Sequence, residues 1–354
     1  MCIRLVAAVA AALLLSNCAI HPVPEDVTGV DTYHIVRQIR CETRAAAADL
    51  VLRELKRLGT DNEEQAADPI ARRLVAQYEA DPEAISSFSP NLFPGPKYVQ
   101  VRNLYNVIYS AAIAYNFDLT MSEENDLGTV LDFLGPWTPK FTLAASADAN
   151  RGRSNERTFT ITDTFGKLLT QLNTPVRGRR YCDGQIVAAN YVYPIAGHIG
   201  VDKTVMTFFQ LALFASLAPD KAAPGAGGAP TIADKLTFTT TIDGSTTPKA
   251  TFTPVGKGFQ FMDASLTGLA KRVDMHQVTV GLALSASATG YLNSLRGYLF
   301  SRLRGTGALA PSAAVGNVLV ANTLTANANT PAEQLAALAV DQLKSREVQL
   351  VPAP

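Results

Sequence analysis

The sequence predicts an α+β fold, with about seven antiparallel strands in one or two sheets, packed with N-terminal helices and a buried central helix. Three stretches carry this reading. Over residues 32–58 the apolar positions Ile35, Ile39, Ala46, Leu50, Leu55 and Leu58 recur at helical spacing. From Tyr109 to Met121 the odd positions read Tyr, Ala, Ile, Tyr, Phe, Leu, Met and the even ones between them Ser, Ala, Ala, Asn, Asp, Thr, which is the period of a half-buried strand. Lys203 to Leu217 has little polar face, with Val205, Met206, Phe208, Phe209, Leu211 and Phe214, as a buried helix does.

Each element follows from local chemistry. Asp31 or Thr32 suits the N-cap of the first helix and Gly59 its stop, while Arg37, Arg40, Arg44, Arg53, Lys56 and Arg57 line its other face. Pro69 opens a second helix that runs to about Ala80, and Pro82, Pro90, Pro94 and Pro96 break the pattern. A short helix precedes the 109–121 strand, since Leu104, Val107, Ile108 and Ala111 also fit helical spacing. Phe141, Leu143, Ala145 and Ala147 alternate again. The polar run Asp148 to Glu156 reads as a turn and Thr158 to Thr162 as the returning strand, so 139–163 is expected to be a hairpin with an exposed, partly basic tip.

Further along, a short helix is placed at 163–172 and a strand at 186–193. Asp202 is the expected cap of the buried helix, and the Ala, Pro and Gly residues of 219–231 make a flexible loop. Leu236, Phe238, Thr240 and Ile242 alternate, and Asp243-Gly244 reads as a turn. More strands are placed at 250–254, from Phe259 and at 278–284, and a helix at 291–303. Thr330-Pro-Ala-Glu333 resembles a capped start for a helix to about Lys344. The expected organisation is a leader at 1–17, a proline-containing tether at 18–30, one α+β domain at 31–304, and a loosely structured C-terminal region with a short helix at 305–354.

The chain has 354 residues, 47% of them hydrophobic, and a formal net charge of zero. That is ample for a core, and a nucleic-acid partner is not expected, because general nucleic-acid binders are basic. The targeting signal is at the start. Arg4 precedes an unbroken apolar run, Leu5 to Leu15, that ends in Leu15-Ser16-Asn17-Cys18. A charge, a run of about ten apolar residues and a small-residue site form a secretory leader, and the run is shorter than the roughly 20 residues that span a bilayer. Its end resembles a bacterial lipobox. The resemblance implies cleavage before Cys18, a diacylglycerol on its sulfur, and a membrane partner through that lipid. Ala19, in place of an aspartate, resembles the pattern of lipoproteins sent on to the outer membrane. With Cys2 removed and Cys18 acylated, Cys41 and Cys182 remain, an even pair that an oxidising compartment would join.

Motifs for chemistry are sparse. The chain holds no G-x-S-x-G, H-E-x-x-H, P-loop or G-x-G-x-x-G. His198 and Asp202 lie four apart and make two ligands at most, so no metal or cofactor is expected. Asp118, Glu123, Glu124 and Asp126 read as a solvated turn. Arg177, Arg179 and Arg180 form a basic patch, and Arg151, Arg153 and Arg157 on the hairpin tip are the candidate partner-binding residues. The expected role is a lipid-anchored envelope protein that binds an envelope protein or glycan, or has a structural part in an envelope assembly. Two alternatives are an envelope hydrolase with a site of unfamiliar form, and an outer-membrane β-barrel component, to which the long alternating strands point.

Overall fold

The computed structural model describes residues 21–61, 66–135, 142–184, 193–215, 217, 229–251, 260–303 and 331–350. Four long strands and one short one form an antiparallel sheet: β1 (Ala112–Leu134), β2 (Thr142–Thr164), β3 (Thr231–Thr246), β4 (Lys249–Thr251) and β5 (Gln260–Ala283). The spatial order is β2-β1-β5-β3, and β4 pairs with β5. The α+β class stands, whereas the count of seven strands does not. The difference arises at turn-like residues that the strands run through. Asp148 to Glu156 lies inside β2, and Asp243-Gly244 lies inside β3. The expected strand at 186–193, most of the 219–231 loop, and 305–330 lie outside the described residues.

Six helices of three or more turns accompany the sheet among the described residues: α1 (Thr32–Gly59), α2 (Pro69–Ala80), α3 (Val99–Ser110), α4 (Val201–Phe214), α5 (Ala286–Leu303) and α6 (Pro331–Leu350). The chain divides into two units, each assembled from three separate stretches. The helical unit comprises Thr32–Asp118, Thr158–Thr237 and Gln277–Pro354, and the strand unit comprises Met1–Asp31, Leu119–Arg157 and Phe238–His276. The two units thus alternate along the sequence.

In the helical unit α1 is the hub. Its predicted apolar positions Ile35, Ile39, Leu50 and Leu55 are buried. So is Arg44, whose guanidinium donates to the Glu83 carboxylate at 2.8 Å. Glu42 reaches across to α4 and accepts from the backbone N–H groups of Ile199 (3.1 Å), Gly200 (2.7 Å) and Val201 (3.1 Å). These are donors that a helix start leaves unpaired, so a carboxylate on another helix does what Asp202 was expected to do. Asp68 caps α2 in the ordinary way, accepting from Ile70 N and Ala71 N, with Pro69 at the first helical position. Arg296 of α5 donates through Nε to the Ala212 carbonyl at 2.8 Å, one of the orphan acceptors at the end of α4.

The C-terminal helix is longer than expected and belongs to the core. Ala332, Leu335, Ala336 and Val340 of α6 pack with Ala112, Ala114 and Ala283 of the sheet. Gly281 permits this approach: a Cβ there would lie 2.3 Å from the Ala336 carbonyl oxygen. Two ion pairs hold the same helix, Lys167 with Glu333 at 3.0 Å and Lys344 with Asp118 at 3.9 Å.

Cys41 of α1 and Cys182 are joined by a disulfide, with Cα atoms 5.8 Å apart. The neighbouring contacts support the same junction. Arg37 donates to the carbonyls of Tyr181 and Asp183, Arg40 lies over the Tyr181 ring, and Cys182 N donates to Asn173 Oδ1 at 2.7 Å. The bridge closes a loop of 141 residues. In the chain-entropy picture such a loop removes about 5 kcal/mol from the unfolded ensemble. Replacing both cysteines by alanine is therefore expected to lower the unfolding free energy by about 2–5 kcal/mol, read from urea midpoints. An unchanged midpoint would show that the surrounding contacts suffice without the bridge.

Candidate functional site: the two faces of the strand unit

Within the strand unit the side-chain contacts define which residues share a face. Arg153 of β2 pairs with Glu123 of β1 at 2.5 Å, and Arg272 of β5 pairs with the same Glu123 at 2.9 Å. A Cβ at Gly128 would lie 2.9 Å from Asp148 Oδ1 and 3.9 Å from Thr267 Cβ. A Cβ at Gly268 would lie 3.3 Å from Thr246 Oγ1. These pairs keep one register along each neighbouring pair of strands. Lys249 opposite Ser265 and Thr251 opposite Asp263 extend the β3–β5 register into β4. Because side chains alternate, odd positions of β1 and β2 and even positions of β3 and β5 share one face. The complementary positions share the other.

The first face has two zones. Nearer the start of β1 it is charged. Arg272 is 11% exposed and contacts Glu123, Asp274 (2.9 Å) and Asp26 (3.4 Å). Farther along the strands the same face carries no charge. On β1 it presents Leu127, Thr129, Leu131 and Phe133, on β2 Leu143, Ala145, Ala147 and Ala149, and on β5 Leu266 and Gly268, with Arg151 of β2 and Ala270 of β5 at its border. Leu127, Leu143 and Leu266 are each more than 40% exposed. The opposite face at this level holds Asp126, Asp132, Asp148, Asp243 and Asp263, with Lys249 and Lys271.

Residues 22–30 lie on the charged zone. Asn155 Nδ2 donates to the Pro22 carbonyl at 3.0 Å, and Arg272 Nη2 to the Val23 carbonyl at 2.7 Å. Glu25–Thr28 is one helical turn, closed by Gly29 in the left-handed region at φ 68°. This part of the expected tether is docked, because its backbone acceptors find side-chain donors on β2 and β5. Cys18 and the leader lie outside the described residues.

The other sequence candidates separate. The basic stretch is no hairpin tip: β1 ends at Leu134, β2 begins at Thr142, and Asp148 to Glu156 lies inside β2. Arg151 is exposed on β2, Arg153 is committed to Glu123, and Arg157 is half-buried. Gly, Asn and Ser in 148–156 resemble a turn, yet β2 is the terminal strand in the order β2-β1-β5-β3, where such residues cost little. Glu123 and Glu124 point to opposite faces and do not cluster. His198 Nδ1 lies 3.9 Å from Glu42 rather than with Asp202. Among the described residues no group of three His, Cys, Asp or Glu side chains is placed to hold a metal, and no helix is long and apolar enough to cross a membrane. Sequence reasoning missed Arg272 and its carboxylates, because their pairing depends on a register set across three strands.

Residues 21–289 match the family described as "Uncharacterised protein y4kA". A curated protein of that name from Sinorhizobium fredii (strain NBRC 101917 / NGR234) is 35% identical over 285 residues, which cover 79% of this chain and 82% of that one. No solved structure matches.

Two outcomes follow from the charged zone. Arg272→Met breaks the ion pair with Asp274, a carboxylate only 1% exposed. Breaking a buried ion pair typically costs 3–5 kcal/mol, so a loss of about 3 kcal/mol is expected, with part of it regained in the Arg272→Met/Asp274→Asn double variant. Urea unfolding of the four proteins reads the cycle. Nearby His276 is 1% exposed, and burial pulls its pKa from 6.5 down to about 4. Between those values the unfolded chain binds a proton that the folded chain does not. Stability is complete above about pH 6.5 and is lost as pH falls toward 4, by about 3 kcal/mol for this group. His276→Gln is expected to flatten that slope; an unaltered slope would assign the acid sensitivity elsewhere.

Proposed function

The chain belongs to the y4kA family, and from that premise we propose that it is an exported, lipid-anchored protein of the bacterial envelope with a binding or structural role in an envelope assembly. The observation that carries this reading is the Cys41–Cys182 disulfide. Disulfides form and persist outside the reducing cytosol, and this one joins the only two cysteines left once a leader cut at Cys18 is discounted. The apolar run Leu5–Leu15 ahead of Cys18 supplies the export route. The membrane is the first partner, through the lipid, and an envelope protein or glycan the second. The outer membrane, facing the periplasm, is the location that Ala19 favours.

Intact-mass measurement on membrane-extracted protein is expected to show loss of residues 1–17 and added acyl chains on Cys18. Cys18→Ser is expected to abolish the acyl mass. A product cut elsewhere, or one without acyl mass in the parent chain, defeats the anchor.

A further inference from the structure

We infer that the uncharged zone of the strand unit meets the acyl chains of a bilayer, and that several copies of the chain close their sheets edge to edge into one β-barrel. The inference takes its membrane from the envelope reading above and goes beyond it.

The first argument is the segregation of charge. From Leu127 to Phe133 on β1, and at the facing positions described on β2 and β5, one face holds no charged side chain. The opposite face at the same level holds Asp126, Asp132, Asp148 and Lys249. A sheet between protein and water buries its apolar face under another layer. Among the described residues of the strand unit the only helix is the four-residue turn Glu25–Thr28, and Leu143 remains 48% exposed. A membrane barrel has this kind of pattern, apolar outward and largely polar inward; here Val130, Leu134 and Leu269 stand among the charged groups of the second face.

The second argument is dimension. Residues 127–134 of β1 extend about 27 Å at ~3.4 Å per residue. Strands in membrane barrels tilt by about 35–45°, and the apolar band they make is about 25 Å tall, in an outer membrane thinner than average. Tilted, this zone spans about 20 Å, close to that band.

The third argument is the border. Where the uncharged zone ends, the same face turns to exposed Arg151 and then to Arg153, Glu123, Arg272 and Asp26, groups that belong at the water side of an interface. Pro22 is fixed to Asn155 on that face at that level. Cys18 lies four residues earlier, within about 14 Å of extended chain. An acyl group on Cys18 therefore enters the lipid that the sheet would face.

The fourth argument concerns edges. In hydrocarbon every backbone N–H and C=O must be paired, so an open sheet cannot insert. In this chain β2 is one edge strand, and β3 together with β4, which continues the β3 register along β5, forms the other. Directions alternate along β2-β1-β5-β3, so β2 of one copy would run antiparallel to β3 and β4 of the next. The four-strand module then repeats with its alternation unbroken, and the ring closes with an even strand number. Its lumen would be lined by the aspartate-rich face and would favour cations.

The test uses the membrane-extracted full mature chain, reconstituted in vesicles of phosphatidylethanolamine and phosphatidylglycerol. Single variants Ala147→Cys and Leu266→Cys on the uncharged face, and Ser146→Cys and Thr267→Cys on the polar face, carry an environment-sensitive fluorophore, with the parent chain as blank. The expected result is blue-shifted emission quenched by nitroxide phospholipid at 147 and 266, and quenching by aqueous iodide at 146 and 267. Iodide quenching at all four positions overturns the inference while leaving a lipid-anchored protein standing. Alternation in a chain that lacks acyl mass upholds the inference and removes Cys18 as the anchor. Chemical cross-linking of the same vesicles is expected to give a ladder ending in one closed oligomer, and monomer alone overturns the barrel. Retention of the Cys41–Cys182 bridge in each variant confirms folding.

Discussion

A strand paired in one unbroken register commits each of its side chains to a face, since a slip by one residue would invert the whole set. In the strand unit the pairs Glu123–Arg153, Glu123–Arg272 and Gly128 against Asp148 and Thr267 all obey a single register. That constraint is what turns a sequence of mixed apolar and polar residues into two surfaces of different chemistry. Arg272 illustrates it. Its guanidinium meets Glu123 on one neighbouring strand and Asp274 on its own, two residues away and hence on the same face. A bulge between 123 and 128 would place Asp148 among the leucines and break the uncharged zone.

The helical unit depends on a different device, polar side chains of α1 that act at a distance. Glu42 caps α4, Arg44 holds Glu83, and Arg40 holds Asp163 at 2.7 Å. Asp163 is 5% exposed, and burial raises its pKa even with the guanidinium pulling the other way. Burial of these groups is tolerable because each carboxylate is met by donors. The disulfide at Cys41 lies on the same helix, so covalent and polar ties converge on one element.

What was legible in the sequence was local. Pro69 marked the start of α2 to the residue, and the helical spacing of 32–58 matched α1. Period two marked the strands, and the separation of Cys41 and Cys182 from the leader cysteines marked the bridge. Strand ends were misread because Gly, Asn, Asp and Ser are turn residues by propensity, while their place in an edge strand depends on neighbours far away in sequence. The cap from Glu42 and the network of Arg272 were invisible for the same reason. The capped start at Thr330-Pro-Ala-Glu333 marks the C-terminal helix, but nothing local says that it joins the core. It is held by close approach, which Gly281 and the small residues on both sides permit.

The two surfaces of the strand unit pose a question of solvent. An Asp-lined face is stable in water, and an exposed Leu and Ala face is not at home there, since contiguous apolar patches on soluble proteins are small and usually functional. The charges at 123, 151, 153 and 272 are gathered at one end of that face across three strands, which scattered surface leucines would not produce. A face that changes character at nearby positions on three strands matches a medium that changes along a plane. A protein partner would instead select individual pockets and pairs at the contact. The gathering of charge at one end of the face, more than the hydrophobicity of any one residue, is what favours a bilayer as the surface this sheet is built to meet.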